Sequence, residues 1–268
     1  MSAVDDLFTE LRGSGHKAFM PFVTAGDPDL EFTAAVLREL AARGSALCEL
    51  GIPYSDPIAD GPVIQASYTR ALDQHIKVSQ IFDMVAKVTP TLPCPVVMMV
   101  SYAILYRHGL EEFVKRAKSV GVSGAIVPDL LVDEAAELAG ICAVEDFSLI
   151  QLVTPTTPRE RAVKIAQSSS GFIYFVSVTG ITGERAKLPD DLVDNVTWLR
   201  EQTDLPICIG FGISRAEHVS ALAPVADGVI VGSAIVRQIA ECASDREAVV
   251  RDIGEYATSL MEALKVES

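Results

Sequence analysis

Positive charge is scarce in this 268-residue sequence: 22 Lys and Arg stand against 36 Asp and Glu, a formal net charge of −14. A surface this acidic repels phosphate backbones and anionic headgroups, so neither nucleic acid nor a membrane surface is expected as a partner. A small phosphorylated ligand is not, because a helix N-terminus binds phosphate without any Lys or Arg. Five cysteines occur, an odd number, widely spread and without a C-x-x-C pair. That argues against a disulfide framework or zinc site and for a reducing, cytoplasmic setting. The four histidines, His16, His75, His108 and His218, fall in helix-like or linking segments and read as surface or structural. Ser233 therefore has no histidine partner for nucleophilic chemistry, and no metal is expected. The longest uncharged stretch, Val88 to Tyr106, is broken by Pro90, Pro93 and Pro95, and its apolar part is of strand length, so it does not read as a membrane span. Residues Met1 to Glu10 carry Asp5, Asp6 and Glu10 and no apolar stretch, so no signal peptide is expected. No G-x-G-x-x-G follows the first apolar run, which speaks against a doubly wound dinucleotide fold.

Eight short apolar runs are present: 18–24, 46–51, 95–100, 124–128, 148–153, 171–177, 206–210 and 228–231. Helix-like segments separate and follow them at 30–43, 63–88, 110–119, 133–144, 158–168, 190–202, 214–223 and 233–263. Each has apolar residues three to four apart with charges between, as Leu37, Leu40 and Ala41 alternate with Arg38 and Glu39. The runs are nearly continuous rather than alternating, the mark of parallel strands buried on both faces. Eight such units predict a (β/α)₈ barrel. No linker divides the chain, so residues 1–268 read as one barrel domain, with Val4 to Arg12 as an extra helix across its bottom.

A barrel's active site lies where strands end. Glu49 interrupts the second run, pointing the same way as Leu47, and a carboxylate in so apolar a strand has either a partner or a task. Burial raises its pKa and suits it to general acid–base work; a buried ion pair is the competing reading. The loop after it holds Pro53, Pro57 and Pro62 and is stiff enough to set Asp60 over the strand ends, facing Glu49. Two carboxylates in unlike environments divide acid and base roles, although Asp56 and Asp60 taken singly also read as turn residues or caps. Glycine turns follow the seventh and eighth runs, Gly210–Ser214 and Val231–Ile235. Gly lets the backbone approach a ligand, each Ser is expected to cap the helix it precedes, and loops at these positions bind phosphate in barrels. The segment 178–189, with Thr179, Gly180, Thr182 and Gly183, reads as a lid.

These segments resemble the tryptophan synthase alpha chain family. The likeness rests on 21–28 (PFVTAGDP), 49–65 (ELGIPYSDPIADGPVIQ), 179–183 (TGITG), 210–213 (GFGI) and 227–234 (DGVIVGSA), in order along the chain. The resemblance implies a lyase: retro-aldol cleavage of indole-3-glycerol phosphate to indole and glyceraldehyde 3-phosphate. Glu49 matches the family's general acid–base residue and Asp60 the residue that holds the indole N–H and stabilises its positive charge. Phe22 and Ile230 match walls of the indole pocket, Tyr174 a residue near the glycerol, and Thr182 the lid threonine. Gly183, Gly212, Gly232 and Ser233 match the phosphate cradle, and Phe211 lies in a matching substrate-binding segment. The family's partner is a beta chain that carries pyridoxal phosphate, in an α2β2 tetramer; the alpha chain needs no cofactor. Contact with it is expected around Pro53–Asp60 and Tyr102–Ile104. Two positions depart from the pattern. Val178 stands where many bacterial members have a basic residue, and Ile104 where an asparagine commonly faces the beta chain, a substitution that removes a polar contact. A stand-alone lyase and a weakly catalytic subunit that mainly activates a beta chain are the alternatives.

Overall fold

The computed structural model describes residues 1–58, 60–176, 190–210, 212–241 and 245–265. Nine parallel strands, β1 (Ala18–Thr24), β2 (Cys48–Gly51), β3 (Val96–Met99), β4 (Val122–Ile126), β5 (Ser148–Ile150), β6 (Leu152–Val153), β7 (Ile173–Val176), β8 (Ile207–Gly210) and β9 (Gly228–Val231), run in the order β5-β4-β3-β2-β1-β9-β8-β7-β6. β5 and β6 are the two halves of the fifth apolar run, so the sheet curls round to its own start and the barrel has eight strand positions. The split falls at Gln151, whose buried amide donates to Ser168 Oγ at 2.6 Å. Two-sided burial is complete along β1, where all seven residues are buried. Alternate residues serve two cores. Met20, Leu47, Val97, Ile126, Ile150, Phe172 and Cys208 fill the barrel interior. Phe19, Cys48, Leu50, Met98, Leu149, Ile173 and Ile209 face the helices.

Among the described residues, twelve α-helices surround the sheet: α1 (Ala3–Ser14), α2 (Leu30–Ala42), α3 (Pro62–Asp73), α4 (Val78–Val88), α5 (Tyr102–His108), α6 (Leu110–Ser119), α7 (Ala136–Val144), α8 (Arg159–Ser168), α9 (Asp190–Arg200), α10 (Ala216–Leu222), α11 (Ser233–Ala240) and α12 (Arg246–Glu262). α1 is the expected bottom helix. Ser2 caps it in a reciprocal box with Asp5, and Val4 and Phe8 enter the interior core, Phe8 at 5.7 Å from Phe172. Burying Phe8 is worth about 2–3 kcal/mol. Ser2 Oγ lies 2.6 Å from Ser148 Oγ, and Asp5 accepts from the Gly171 N–H, which closes the bottom.

Three helical segments differ from expectation. The 63–88 segment is two helices, α3 and α4, separated at Gln74–Lys77, where His75 adopts a left-handed φ of 56°. The 233–263 segment is also two, with Asp245 capping α12 through the Ala248 N–H. α5 was not expected at all. Its N-terminal amides are satisfied by Ser101 and, across the barrel top, by Asp129, which accepts from the Tyr102 N–H at 2.8 Å. Ile104 on this helix is half-buried against the outer core. Among the described residues, no helix is long and apolar enough to cross a membrane.

Candidate active site

β2 carries Glu49 into the barrel mouth because its neighbours Cys48 and Leu50 occupy the outer core. Glu49 is 1% exposed, and among the described residues its Oε1 has no hydrogen-bond partner. A buried ionised carboxylate without partners is costly, so the group holds its proton. Burial, reinforced by the nearby charge of Asp60, pushes its pKa up to about 8.

Asp60 reaches the same cavity from the β2–α3 loop. Gln65, in the first turns of α3, staples that loop by donating to the Asp60 carbonyl at 2.7 Å and the Pro57 carbonyl at 3.3 Å. Asp60 is half-buried, and burial with the charge of Asp129 raises its pKa to about 6. At neutral pH the arrangement therefore holds one carboxylic acid and one carboxylate. Among the described residues no cation contacts Glu49, which speaks against the ion-pair alternative. Asp56, by contrast, is an exposed turn residue that accepts from Ser55.

The cavity has a volume of about 700 Å³, including its open mouth. Of the residues anticipated from sequence, Phe22, Glu49, Asp60, Tyr174, Gly212, Ile230, Gly232 and Ser233 line it together. Thr182, Gly183, Phe211 and Val178 lie outside the described residues. Tyr174 rises from β7 toward β8, where a side chain at position 210 would overlap its hydroxyl. Gly210 is therefore required for that approach. Gly212 takes a left-handed φ of 76° in the turn after β8. Gly232 and Ser233 begin α11, with Gly232 at the cap position and Ser233 the first helical residue. The expectation that the serines cap these helices is corrected. Arg215 occupies the cap of α10, and neither helix has a side-chain cap bond, so the α11 amides stay free to meet a ligand. Among the described residues, no Lys or Arg lines the cavity.

Ile64, Met99, Pro128, Leu152, Val176 and Ile213 also line it and were not anticipated. Met99 and Leu152 were within reach: each stands at the top of a strand, in phase with inward neighbours Val97 and Ile150. A second cavity of about 340 Å³ adjoins the first and shares Asp60, Met99 and Pro128 with it; Tyr54, Asp56 and Asp129 line only the second. Among the described residues, no group of three or more His, Cys, Asp or Glu side chains could hold a metal ion.

The family model described as "Tryptophan synthase alpha chain" matches residues 8–265. The chain belongs to the tryptophan synthase alpha chain family. A family member from Rhodopirellula baltica is 54% identical over 98% of this chain and 99% of its own length. One from Rippkaea orientalis is 45% identical over 99% of both. Among solved structures, the alpha chain from Legionella pneumophila superposes with a TM-score of 0.88 at 32% identity, covering 98% of this chain and 97% of that one. A tryptophan synthase complex from Pyrococcus furiosus gives 0.84 at 35% identity, covering 92% and 99%. Membership makes the chain a lyase of the tryptophan pathway with a (β/α)₈ fold and a beta-chain partner.

Proposed function

We propose that Glu49 and Asp60 carry out the family's reaction, the cleavage of indole-3-glycerol phosphate to indole and glyceraldehyde 3-phosphate. The observation that carries this reading is that Glu49 and Asp60 line one cavity, Glu49 fully buried and Asp60 half-buried; burial pushes Glu49 up to about 8 and Asp60 to about 6, which favours one acid and one carboxylate at neutral pH. The protonated Glu49 delivers its proton to indole C3. Positive charge then develops at the ring nitrogen, whose N–H is held by the Asp60 carboxylate. Glu49, now a carboxylate, takes the proton from the glycerol hydroxyl next to the ring. The oxygen forms the aldehyde carbonyl, the C–C bond breaks, and its electrons return to the indole ring. Glu49 finishes protonated, so the cycle closes with no net proton change.

Phe22 and Ile230 flank the ring, Tyr174 meets the glycerol, and Gly212, Gly232 and Ser233 hold the phosphate through backbone amides and the start of α11. Thr182, Gly183 and Phe211 complete the lid and the substrate-binding loops. Residues 1–268 act as one catalytic domain in the cytoplasm. The chain works in an α2β2 complex whose beta chain carries pyridoxal phosphate and consumes the indole; the cleavage itself uses no cofactor.

Indole release by the purified chain, with and without a beta chain, tests this. Slow cleavage that rises on adding the partner is expected. Fast cleavage alone identifies a stand-alone lyase, a reading to which Ile104 points by removing a polar contact at the expected interface. No cleavage in either case refutes the assignment.

A further inference from the structure

The turn between β8 and α10 has to be held by something other than a strand ladder. Gly210 is its last strand residue and Ala216 its first helical one, and Gly212 between them is exposed and left-handed. A glycine turn left to itself is costly to order, and a ligand that needs it ordered binds more weakly by that cost. Two side chains from different helices meet at one residue of this turn. Ser214 donates its backbone N–H to His218 Nδ1 on α10 at 3.4 Å. Its carbonyl accepts the Tyr256 hydroxyl of α12 at 2.9 Å, 42 residues away in sequence. Between Ser214 and Gly212 lies Ile213, 3% exposed and packed in the outer core.

We infer that Tyr256 and His218 are positioning residues for the substrate's phosphate: by clamping both backbone groups of Ser214, they fix the turn that presents Gly212 to the cavity. This rests on the proposed phosphate site. Both groups are in the form the clamp needs. His218 is buried, and desolvation, then the Arg215 charge, lower its pKa, so the neutral ring keeps a lone pair at Nδ1. Burial pushes the Tyr256 phenol up to about 12, so it remains a donor. Neither residue lines the cavity, so neither touches substrate. The clamp ties the phosphate turn to α12, an element otherwise remote from the chemistry.

The test is Tyr256→Phe, which removes one oxygen from a half-buried ring and leaves its packing intact. Calorimetry on the full chain measures glycerol 3-phosphate and indole separately, and steady-state cleavage is followed in parallel. A three- to tenfold weaker affinity for glycerol 3-phosphate is expected, with KM for the substrate raised alike and kcat and indole affinity within about twofold. His218→Ala, with folding checked by circular dichroism, is expected to shift the same two quantities. Equal weakening for indole and glycerol 3-phosphate identifies general loosening and overturns the inference. So does unchanged glycerol 3-phosphate binding in the Phe variant, which leaves the phosphate site itself standing. Failure of the unsubstituted chain to bind glycerol 3-phosphate overturns both.

Discussion

Glu49→Gln should give an inactive protein that is more stable than its parent, and only at high pH. Gln copies the shape of the protonated acid but has no proton to deliver, so cleavage falls by about 10²- to 10⁴-fold. The stability effect follows from burial. A carboxyl moved from its ordinary 4.5 to about 8 binds, in the folded protein, a proton that the unfolded chain releases in between. Folding is therefore unpenalised below about 4.5 and loses stability progressively until about pH 8, where the loss levels off at roughly 5 kcal/mol. Of that, about 4 kcal/mol falls between about pH 5 and about pH 9. Urea unfolding of both proteins at these two pH values isolates the effect. The difference between variant and parent at high pH, minus the same difference at low pH, cancels every other titrating group. A gain of about 4 kcal/mol for the Gln variant is expected. Equal differences at both pH values would mean that Glu49 ionises in the folded chain as freely as in water, and the acid role assigned to it would fall.

Cleavage by the parent chain should follow a bell in pH, because Asp60 must be ionised and Glu49 protonated. kcat/KM is expected to fall below about 6 and above about 8; a rate still rising through pH 9 contradicts the proton assignment. Asp60→Asn should lower kcat by about a hundredfold or more with little change in glycerol 3-phosphate affinity, read by indole release and calorimetry. Asp27, 2% exposed, takes two hydrogen bonds from Arg70, at 2.8 and 2.6 Å. Asp27→Asn is expected to cost about 1–3 kcal/mol in urea unfolding, since Arg70 is partly solvated and the Asn carbonyl still accepts one of its hydrogen bonds.

The barrel was legible because parallel strands buried on both faces leave continuous apolar runs, and all eight appear. Helix ends were less so. Nothing in Asp73-Gln74-His75-Ile76 marks a break; the left-handed His75 is imposed by tertiary packing, with Ile76 pressed against Gly26. α5 was invisible for a similar reason, since the carboxylate that satisfies its first amide, Asp129, comes from the next strand's loop. Glu49 was readable because a charge in an apolar run is conspicuous. Met99 and Leu152 were readable only by their phase with Val97 and Ile150, and Ile64 and Ile213 not at all, because an apolar residue lining a cavity has the same sequence signature as one filling a core. The Tyr256 contact joins two segments with no shared motif, so only the folded chain reveals it.

The break at Gln151 gives the single nine-stranded sheet two ends, and β1, central in the strand order, joins its two arcs. The first, β1 to β5, and its loops bear Glu49 and Asp60. The second, β6 to β9 with β1, bears Tyr174, Gly212, Gly232 and Ser233. On the proposed function one half is then the reagent and the other the vice, and a substrate with a ring at one end and a phosphate at the other is a cross-brace between them. The bond to be cut lies along that brace. On that reading cleavage leaves the phosphate fragment on the second half, while the indole still touches both, Asp60 on the first and Ile230 on the second.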